Sequence, residues 1–542
     1  MLSIIIFLPL LACVSVLALP AHKGSWYRLL TIAVALVQLV LCSFVYINGH
    51  WDSTQHIYDQ TAYQYVEKVD WINLQLGELG KLDIDYFVAV DGLSAGLLLL
   101  SAIVMLVAAC SSAEITKNEK GYYALFLLLN MAIMGTFCAL DFFLFYLFYE
   151  LMLLPLYFLI GMWGGERREY AAIKFFLYTL FGSVFMLLVM IGLYFSVSDP
   201  ITGDHTFNLL HMMNPANYQA DSIFSAEAAN LLWGYPARLI GFIIVFIAFA
   251  IKVPVVPFHT WLPDAHVEAP TPISIILAGL LLKVGAYGIL RIAFGVFPDG
   301  AIAFSFWIGL LGLISIIYGA FNALAATDLK RLIAYSSVSH MGFVLLGFAS
   351  LTPEGINGAT LQLLSHGILS TMLFFLVGVL YNRVKDREIA HFSGLATAMP
   401  RYAAFVLIAF FASLGLPGFS AFIAEVFVLI GAFTAQSVNQ MIPQWMAIGG
   451  AVGILLGAAY FLWTLQRMFF GAVQFHAGDA WKAKLNDLTT TENYLLILLT
   501  ILTLVIGIFP SQVFDVCNAA ANAMVTHVLS TGKSQLIQLF AL

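Results

Sequence analysis

Residues 246–291 read FIAFAIKVPVVPFHTWLPDAHVEAPTPISIILAGLLLKVGAYGILR, two apolar runs that each contain a lysine, Lys252 and Lys283. Either run, with its flanking residues, is long enough to cross ~30 Å of hydrocarbon as a helix. Three prolines interrupt the first run: Pro254, Pro257 and Pro263. Because proline removes a backbone donor and displaces a carbonyl, we expect this helix to be broken at membrane depth.

The composition indicates a membrane protein from end to end. Of 542 residues, 61% are hydrophobic and 10% are charged. A soluble domain carries roughly 25% charged residues, so a water-soluble fold is excluded. We predict an all-α integral membrane protein of about fourteen transmembrane helices, with spans near 2–21, 28–47, 92–112, 121–139, 141–163, 171–197, 238–268, 273–296, 301–324, 332–350, 361–381, 401–431, 446–470 and 494–512.

Basic residues are distributed unevenly over the connections between these spans. If the N-terminus is outside, sixteen lysines and arginines, among them Lys23 and Lys330, fall in the inner connections. Five fall outside: Lys68, Lys81, Arg238, Arg291 and Lys533. Because inner loops of membrane proteins are enriched in Lys and Arg, we predict that both termini lie on the outer, periplasmic side.

A second long span, 401–431, carries a break signal of its own in Gly415, Pro417 and Gly418. The broken spans are the seventh and the twelfth, five spans apart. Because five is an odd number, five-helix repeats built around these spans would have opposite orientations in the membrane. Broken helices in corresponding halves of a transporter mark transport sites. We therefore predict two inverted repeats, helices 4–8 in residues 121–300 and helices 9–13 in residues 301–472. Helices 1–3 occupy 1–120, and 473–542 holds helix 14 and the C-terminal tail.

Four charged residues are expected at membrane depth: Glu150, Lys252, Lys283 and Glu425. A charge at the centre of a lone helix costs roughly 2.5–3.5 kcal/mol, so several in one chain need a hydrated or paired interior. Glu150 follows the boundary residue Asp141 by nine residues, or roughly 13 Å of helix. We interpret the four as proton carriers. Two alternatives stay open, a purely structural ion pair of Glu150 with Lys252 and a helix-break cap at Glu425.

Histidines extend this hypothesis, because imidazole is the side chain best able to exchange a proton near neutral pH. His340 and His366 lie on the tenth and eleventh spans, between Lys283 and Glu425 in chain order. Either one alone would be as typical of a hydrogen-bonded packing residue.

Metal and nucleotide chemistry find little support in the sequence. His259 and His266 are seven residues apart and could share a helix face, but no carboxylate or cysteine completes a convincing ligand set. The five cysteines are scattered and never spaced C-x-x-C. Since no G-x-x-x-x-G-K-[ST] motif is present, transport would draw its energy from an ion gradient or from partner subunits.

Four segments resemble a known family in that family's order: FYLFYELMLLPLYFLIGMWGG, KVPVVPFHTWLPDAHVEAPTPISIILAGLLLKVGAYGILR, TDLKRLIAYSSVSHMGF and GLPGFSAFIAEV. They are similar to the antiporter-like membrane subunits of proton-pumping NADH:quinone oxidoreductase (respiratory complex I). Those subunits are related to subunits of multisubunit Na⁺/H⁺ antiporters. The resemblance covers roughly residues 80–510, and the second segment is highly specific.

The resemblance implies a role for each candidate residue. Glu150 and Lys252 would form a coupling pair and Lys283 a central relay, while His340 and His366 would extend the polar axis to Glu425, the terminal site. The sister chains L and N and the antiporter relatives usually carry lysine where this sequence has Glu425, so it resembles the branch called chain M, related to mitochondrial subunit 4. About thirty residues follow the fourteenth span, too few for the long lateral helix of chain L.

The same resemblance implies partners and cofactors. Expected partners are the other membrane subunits of complex I, including chains L and N, with protons as cargo, membrane lipids as surroundings and no nucleic acid, in a bacterial inner membrane. FMN, iron–sulfur clusters and quinone would lie on other subunits, and none in this chain. The alternatives are a Na⁺/H⁺ antiporter subunit, against which Glu425 weighs, a ferredoxin- or hydrogenase-linked complex, and a membrane anchor that conducts nothing.

Overall fold

A computed structural model describes residues 1–20, 24–51, 56–75, 81–226 and 230–541. Lys23, which we counted among the inner basic residues, lies outside the described residues. The helices are α1 Leu2–Ala18, α2 Gly24–Asn48, α3 Gly92–Ser111, α4 Glu119–Cys138, α5 Phe142–Leu151, α6 Leu153–Trp163, α7 Arg168–Ser196, α8 Leu209–Met213, α9 Ala237–Lys252, α10 Trp261–Glu268, α11 Thr271–Ile276, α12 Leu282–Gly288, α13 Pro298–Ala303, α14 Ser305–Ala325, α15 Leu329–Ser350, α16 Pro353–Val384, α17 Leu395–Ala398, α18 Pro400–Ser413, α19 Ser420–Val438, α20 Gln444–Phe469, α21 Asp479–Lys482, α22 Thr490–Ile508 and α23 Ser511–Ala541.

Twelve helical stretches within the described residues are long and apolar enough to cross a membrane. The helix α7 exposes large apolar side chains to the outside, such as Leu177 (57% exposed) and Phe181 (60% exposed), as suits a lipid-facing surface. The predicted all-α membrane fold is therefore confirmed. The shorter α1 and the broken pair α9–α10 would bring the spans to the predicted fourteen, but that count and the inverted repeats stay predictions.

Both predicted helix breaks are present. The first lies between α9 and α10, where the indole nitrogen of Trp261 donates to the carbonyl of Ile251 at 2.8 Å. That bond satisfies one of the carbonyls that a helix C-terminus leaves without a partner. The second lies between α18 and α19, where Gly415 (φ +79°) and Gly418 (φ +101°) adopt backbone angles that other residues rarely take.

Strands form in the connections between helices: β1 Gln64–Gln75, β2 Lys81–Val90, β3 Leu231–Leu232, β4 Tyr235–Pro236, β5 Phe392–Ser393 and β6 Gln474–Phe475. Sequence analysis missed the antiparallel pair β1–β2 entirely. Glu67 of β1 accepts hydrogen bonds from the amino group of Met1 and from Ser3. In β2 the carbonyl of Phe87 accepts the amide of Leu140 at 2.9 Å. The pair thus packs against the first residues of α1 and the connection between α4 and α5.

The C-terminal tail was expected to be short and without a usable motif, but its described residues form the 31-residue helix α23. One face of α23 is buried at intervals of three or four residues, for example at Cys517, Ala521 and Met524. His527 bonds the carbonyl of Gly295 at 2.9 Å. The strand β2 leads into α3 at Gly92, and α23 packs against this same glycine. Helix α23 therefore lies across helix ends, on the same side of the bundle as the β1–β2 pair.

Candidate functional site

Lys252 is the last residue of α9 and is fully buried. Its ammonium nitrogen lies 3.4 Å from the carbonyl oxygen of Tyr149 and 3.4 Å from the centroid of the Tyr149 ring. The helix ends here because Pro254 cannot continue the hydrogen-bond ladder. A buried ammonium therefore sits at a helix C-terminus, which favours positive charge.

Glu150 lies next to Tyr149 near the end of α5, beside the side chains of Tyr146 and Ser183. The helix begins where the boundary residue Asp141 caps it by accepting the amide of Leu144 at 2.9 Å. Among the described residues, no ion pair within 4.0 Å joins Glu150 to Lys252, and the carboxylate oxygen Oε1 of Glu150 has no hydrogen-bond partner. The two residues lie on facing helices and interact electrostatically without direct contact.

Lys283 lies in α12, directly after a π-helical turn at Leu277–Leu281, and is fully buried. Its ammonium nitrogen is 2.6 Å from the carbonyl oxygen of Ala278 in that turn and 2.7 Å from Nδ1 of His366. Insertions of this kind within helices recur at functional sites because they redirect backbone groups. Lys283 therefore pairs with His366 of α16.

Two histidines continue the line from Lys283 to the second broken helix. The rings of His366 and His340 lie 5.6 Å apart between centroids. Nδ1 of His340 is 3.4 Å from Oε1 of Glu425 and 3.3 Å from the amide nitrogen of Gln362. A cavity of about 10 Å³ borders both imidazoles, close to the space that one water molecule needs. Four titratable side chains therefore form a line from α12 to α19, with space for one water between the two imidazoles.

The surroundings of Glu425 weigh against the helix-cap alternative. Glu425 lies five residues inside α19, and no described backbone amide donates to its carboxylate. Its oxygen Oε1 lies 3.4 Å from Nδ1 of the His340 imidazole. A Cβ atom on Gly415 would lie 2.7 Å from Oε2 of Glu425, so the break packs directly against this carboxylate.

Two further buried groups lie towards the opposite side of the bundle from α23, and sequence analysis assigned neither a role. Lys330, expected in an inner loop, is only 3% exposed because Asp328 caps α15 and places it in the first turn. Its ammonium bonds the carbonyl of Ala269 at 2.5 Å. His266 stacks on Phe374 at 4.4 Å, and neither ring nitrogen has a partner among the described residues.

Lys330 lines a surface cavity, whereas His266 is buried in the interior. The cavity, of about 650 Å³, is lined by Lys330, Ala269 and charged side chains such as Glu268 and Arg387. His266 interacts electrostatically with both Lys330 and Lys283. The expectation that Lys330 is a loop charge was therefore wrong. Its sequence signal, a lysine two residues after a helix cap, does not distinguish a buried side chain from an exposed one.

The two histidines considered for metal binding contact different aromatic rings. His259 meets Tyr318 edge-on at 5.0 Å, whereas His266 stacks on Phe374. Within the ranges that the structure describes, no group of three or more His, Cys, Asp or Glu side chains is arranged to hold a metal ion.

Comparison with known proteins assigns the chain to a family. Residues 139–449 match the family model described as NADH:quinone oxidoreductase/Mrp antiporter, TM. The chain belongs to this family. It is 38% identical over 518 residues to "NADH-quinone oxidoreductase subunit M" of Rickettsia bellii, covering 95% of this chain and 96% of the relative. The predicted resemblance to the antiporter-like subunits, and to the branch called chain M, is confirmed.

Solved structures agree with this assignment. A chain of respiratory complex I from Thermus thermophilus superposes with a TM-score of 0.79 and 29% identity, over 97% of this chain and 100% of that one. A chain of the Mrp complex from Dietzia sp. gives a TM-score of 0.77 at 20% identity, over 99% of each chain, and so shares the fold.

Proposed function

We propose that this chain is a proton-translocating subunit of NADH:quinone oxidoreductase, the M-type member of its antiporter-like set. The observation that carries the proposal is the contiguous line Lys283–His366–His340–Glu425, with Nζ of Lys283 2.7 Å from Nδ1 of His366. Buried charges are expensive in a membrane interior and are retained there for transport. A structural anchor would need none of them.

Protons would enter from the inner side through the 650 Å³ cavity. Lys330, which lines this cavity, would take up the proton, and His266 would pass it on towards Lys283. His266 is the titratable side chain that interacts electrostatically with both lysines, and water would have to bridge its ring nitrogens to them for the proton to pass.

Transfer along the line would begin at the hydrogen bond between Lys283 and His366. The Lys283 ammonium donates to Nδ1 of His366, so the shared proton can pass to the imidazole and leave a neutral amine. The imidazole then releases a proton from its other nitrogen towards His340, across a space that fits one water. His340 delivers a proton to the Glu425 carboxylate, 3.4 Å away. One proton moves one place at each step, and each donor is reset by the next proton from the inner side.

Glu150 and Lys252 would control the first half of the route. With Glu150 close, its negative charge stabilises the Lys252 ammonium; with Glu150 withdrawn, a desolvated ammonium is driven to release its proton. The separation of the two groups, near but not in contact, supports a pair that changes its spacing during the cycle.

Energy and electrons would come from other subunits. FMN, iron–sulfur clusters and quinone are proposed to lie there, with chains L and N as membrane neighbours, and none of these cofactors in this chain. We also propose that both termini face the periplasm, so that Glu425 releases protons outward. The alternatives are a Na⁺/H⁺ antiporter subunit, since a chain of the Mrp complex shares this fold, and a ferredoxin- or hydrogenase-linked complex. Dependence of proton uptake on NADH distinguishes the proposed function from both.

The test is NADH-driven proton uptake into inverted membrane vesicles. Lys283→Ala should abolish most uptake and lower electron transfer with it, while the complex stays assembled, because a coupled pump cannot pass electrons beyond a blocked proton step. Lys533→Ala, in the exposed part of α23, is the matched control. Undiminished uptake by the Lys283 variant would refute the proposal, and uptake driven by a sodium gradient without NADH would favour the antiporter.

A further inference from the structure

The side chain of Tyr149 contacts the ammonium of Lys252 more closely than Glu150 does. The nitrogen lies 3.4 Å from the centre of the aromatic ring, and both residues are almost completely buried. A cation within about 6 Å of an aromatic face is attracted by the ring quadrupole, most strongly where water is excluded. The ring is therefore a second receptor for this ammonium, beside the Glu150 carboxylate.

Neighbouring aromatic rings on two helices hold the Tyr149 ring in place. It stacks on Phe145 of α5 at 6.0 Å and meets Phe249 of α9 edge-on at 5.8 Å. Phe249 precedes Lys252 by three residues, so it lies on the same side of α9 as the ammonium. The aromatic face is thus fixed relative to the end of the broken helix.

We propose that Tyr149 is a positioning residue that holds the Lys252 ammonium apart from Glu150, so that Lys252 alternates between the aromatic face and the carboxylate. This inference rests on the proposed function. An aromatic face attracts a cation but cannot take its proton, so an ammonium held there stays protonated until its contacts change. The aromatic face stays in place, and the Lys252 side chain moves between it and the carboxylate of the adjacent residue Glu150.

The first test compares proton uptake in three variants. Tyr149→Leu removes the aromatic face and should lower NADH-driven uptake severalfold, whereas Tyr149→Phe keeps the face and should restore most of it. Phe148→Leu is the matched control, since Phe148 is an equally buried ring of α5 that packs against Gly135 of α4. Wild-type uptake by Tyr149→Leu, or equal losses in Tyr149→Leu and Phe148→Leu, would overturn the inference.

The second test measures the contact without pumping. The fall in thermal unfolding temperature caused by Tyr149→Leu should be smaller in a Lys252→Met background, because the cation that the ring attracts is gone. Equal falls in both backgrounds would overturn the inference even if the relay is right. If Lys252→Met alone leaves pumping intact, the proposed function fails at this residue, while the two unfolding temperatures still report the contact.

Discussion

At the scale of single residues, Glu425 separates a proton carrier from a structural acceptor. Glutamine keeps a hydrogen-bond acceptor but cannot take up a proton. Glu425→Gln should therefore lower NADH-driven proton uptake to below about a tenth of the wild-type rate, because a proton-transfer group is lost. Thermal stability should change little. Glu425→Lys, which mimics the sister chains, should retain part of the activity.

Under the helix-cap alternative the order of the two Glu425 variants reverses. Glutamine would be tolerated, whereas lysine would bring an unpaired cation to the break and cost several kcal/mol. Proton uptake at matched protein level distinguishes the two, and wild-type uptake by the glutamine variant would remove Glu425 from the route.

Glu150 is expected to act through its charge. Glu150→Gln should be severe, while Glu150→Asp should be milder, because the aspartate stays negative and can still approach Lys252 if the pair changes its spacing. Proton uptake and NADH oxidation, measured together, check this. Equal losses in the two variants would mean that the shape of the side chain matters rather than its charge.

At the scale of elements, the break between α18 and α19 offers a matched pair of glycines. Gly415 and Gly418 both have positive φ, so alanine strains either, by about 1–3 kcal/mol. A Cβ on Gly415 would press on the Glu425 carboxylate, whereas nothing lies within 4 Å of one on Gly418. Gly415→Ala should therefore lower proton uptake well below Gly418→Ala. Equal effects would show that backbone strain alone matters.

The connection after α16 carries a pH-sensitive contact. Partial burial raises the pKa of Asp386, but the backbone amide of Glu388 and the ring of His391 lower it more, so the pKa lies below its ordinary value. The contact therefore stabilises the fold above about pH 4 and is lost as the pH falls further. Thermal unfolding of Asp386→Asn should differ from wild type by on the order of 1 kcal/mol or less near pH 6, and the difference should shrink as the pH falls below about 4. A difference that does not shrink below about pH 4 would contradict this.

At the scale of the whole molecule, the sequence predicted helix breaks better than side-chain contacts. The prolines and glycines located both breaks, and the spacing from Asp141 placed Glu150, because local rules govern where a helix begins and breaks. The contact of Lys283 with His366 joins residues 83 positions apart, and no periodicity reveals such a pairing. Lys330 was misplaced because the rule that inner loops are rich in basic residues says nothing about whether a side chain is buried. The strands β1 and β2 were missed because they lie outside the predicted spans.

The family assignment explains why several residues chosen from the sequence lie close together, although their roles stay a prediction. Lys283, His340, His366 and Glu425, whose roles the resemblance implied, lie in one line in the structure. The resemblance did not indicate the contact of the Tyr149 ring with Lys252 or the burial of Lys330 near His266. Both were found only in the structure.

The most direct test of the central claim is proton uptake by a His366→Gln variant. His366 is the link between Lys283 and His340, and glutamine can keep a hydrogen bond to Lys283 without taking up a proton. We expect NADH-driven proton uptake into inverted vesicles to fall to below about a tenth of the wild-type rate, with assembly and protein level matched to wild type. Uptake at the wild-type level would show that protons do not pass along the line from Lys283 to Glu425.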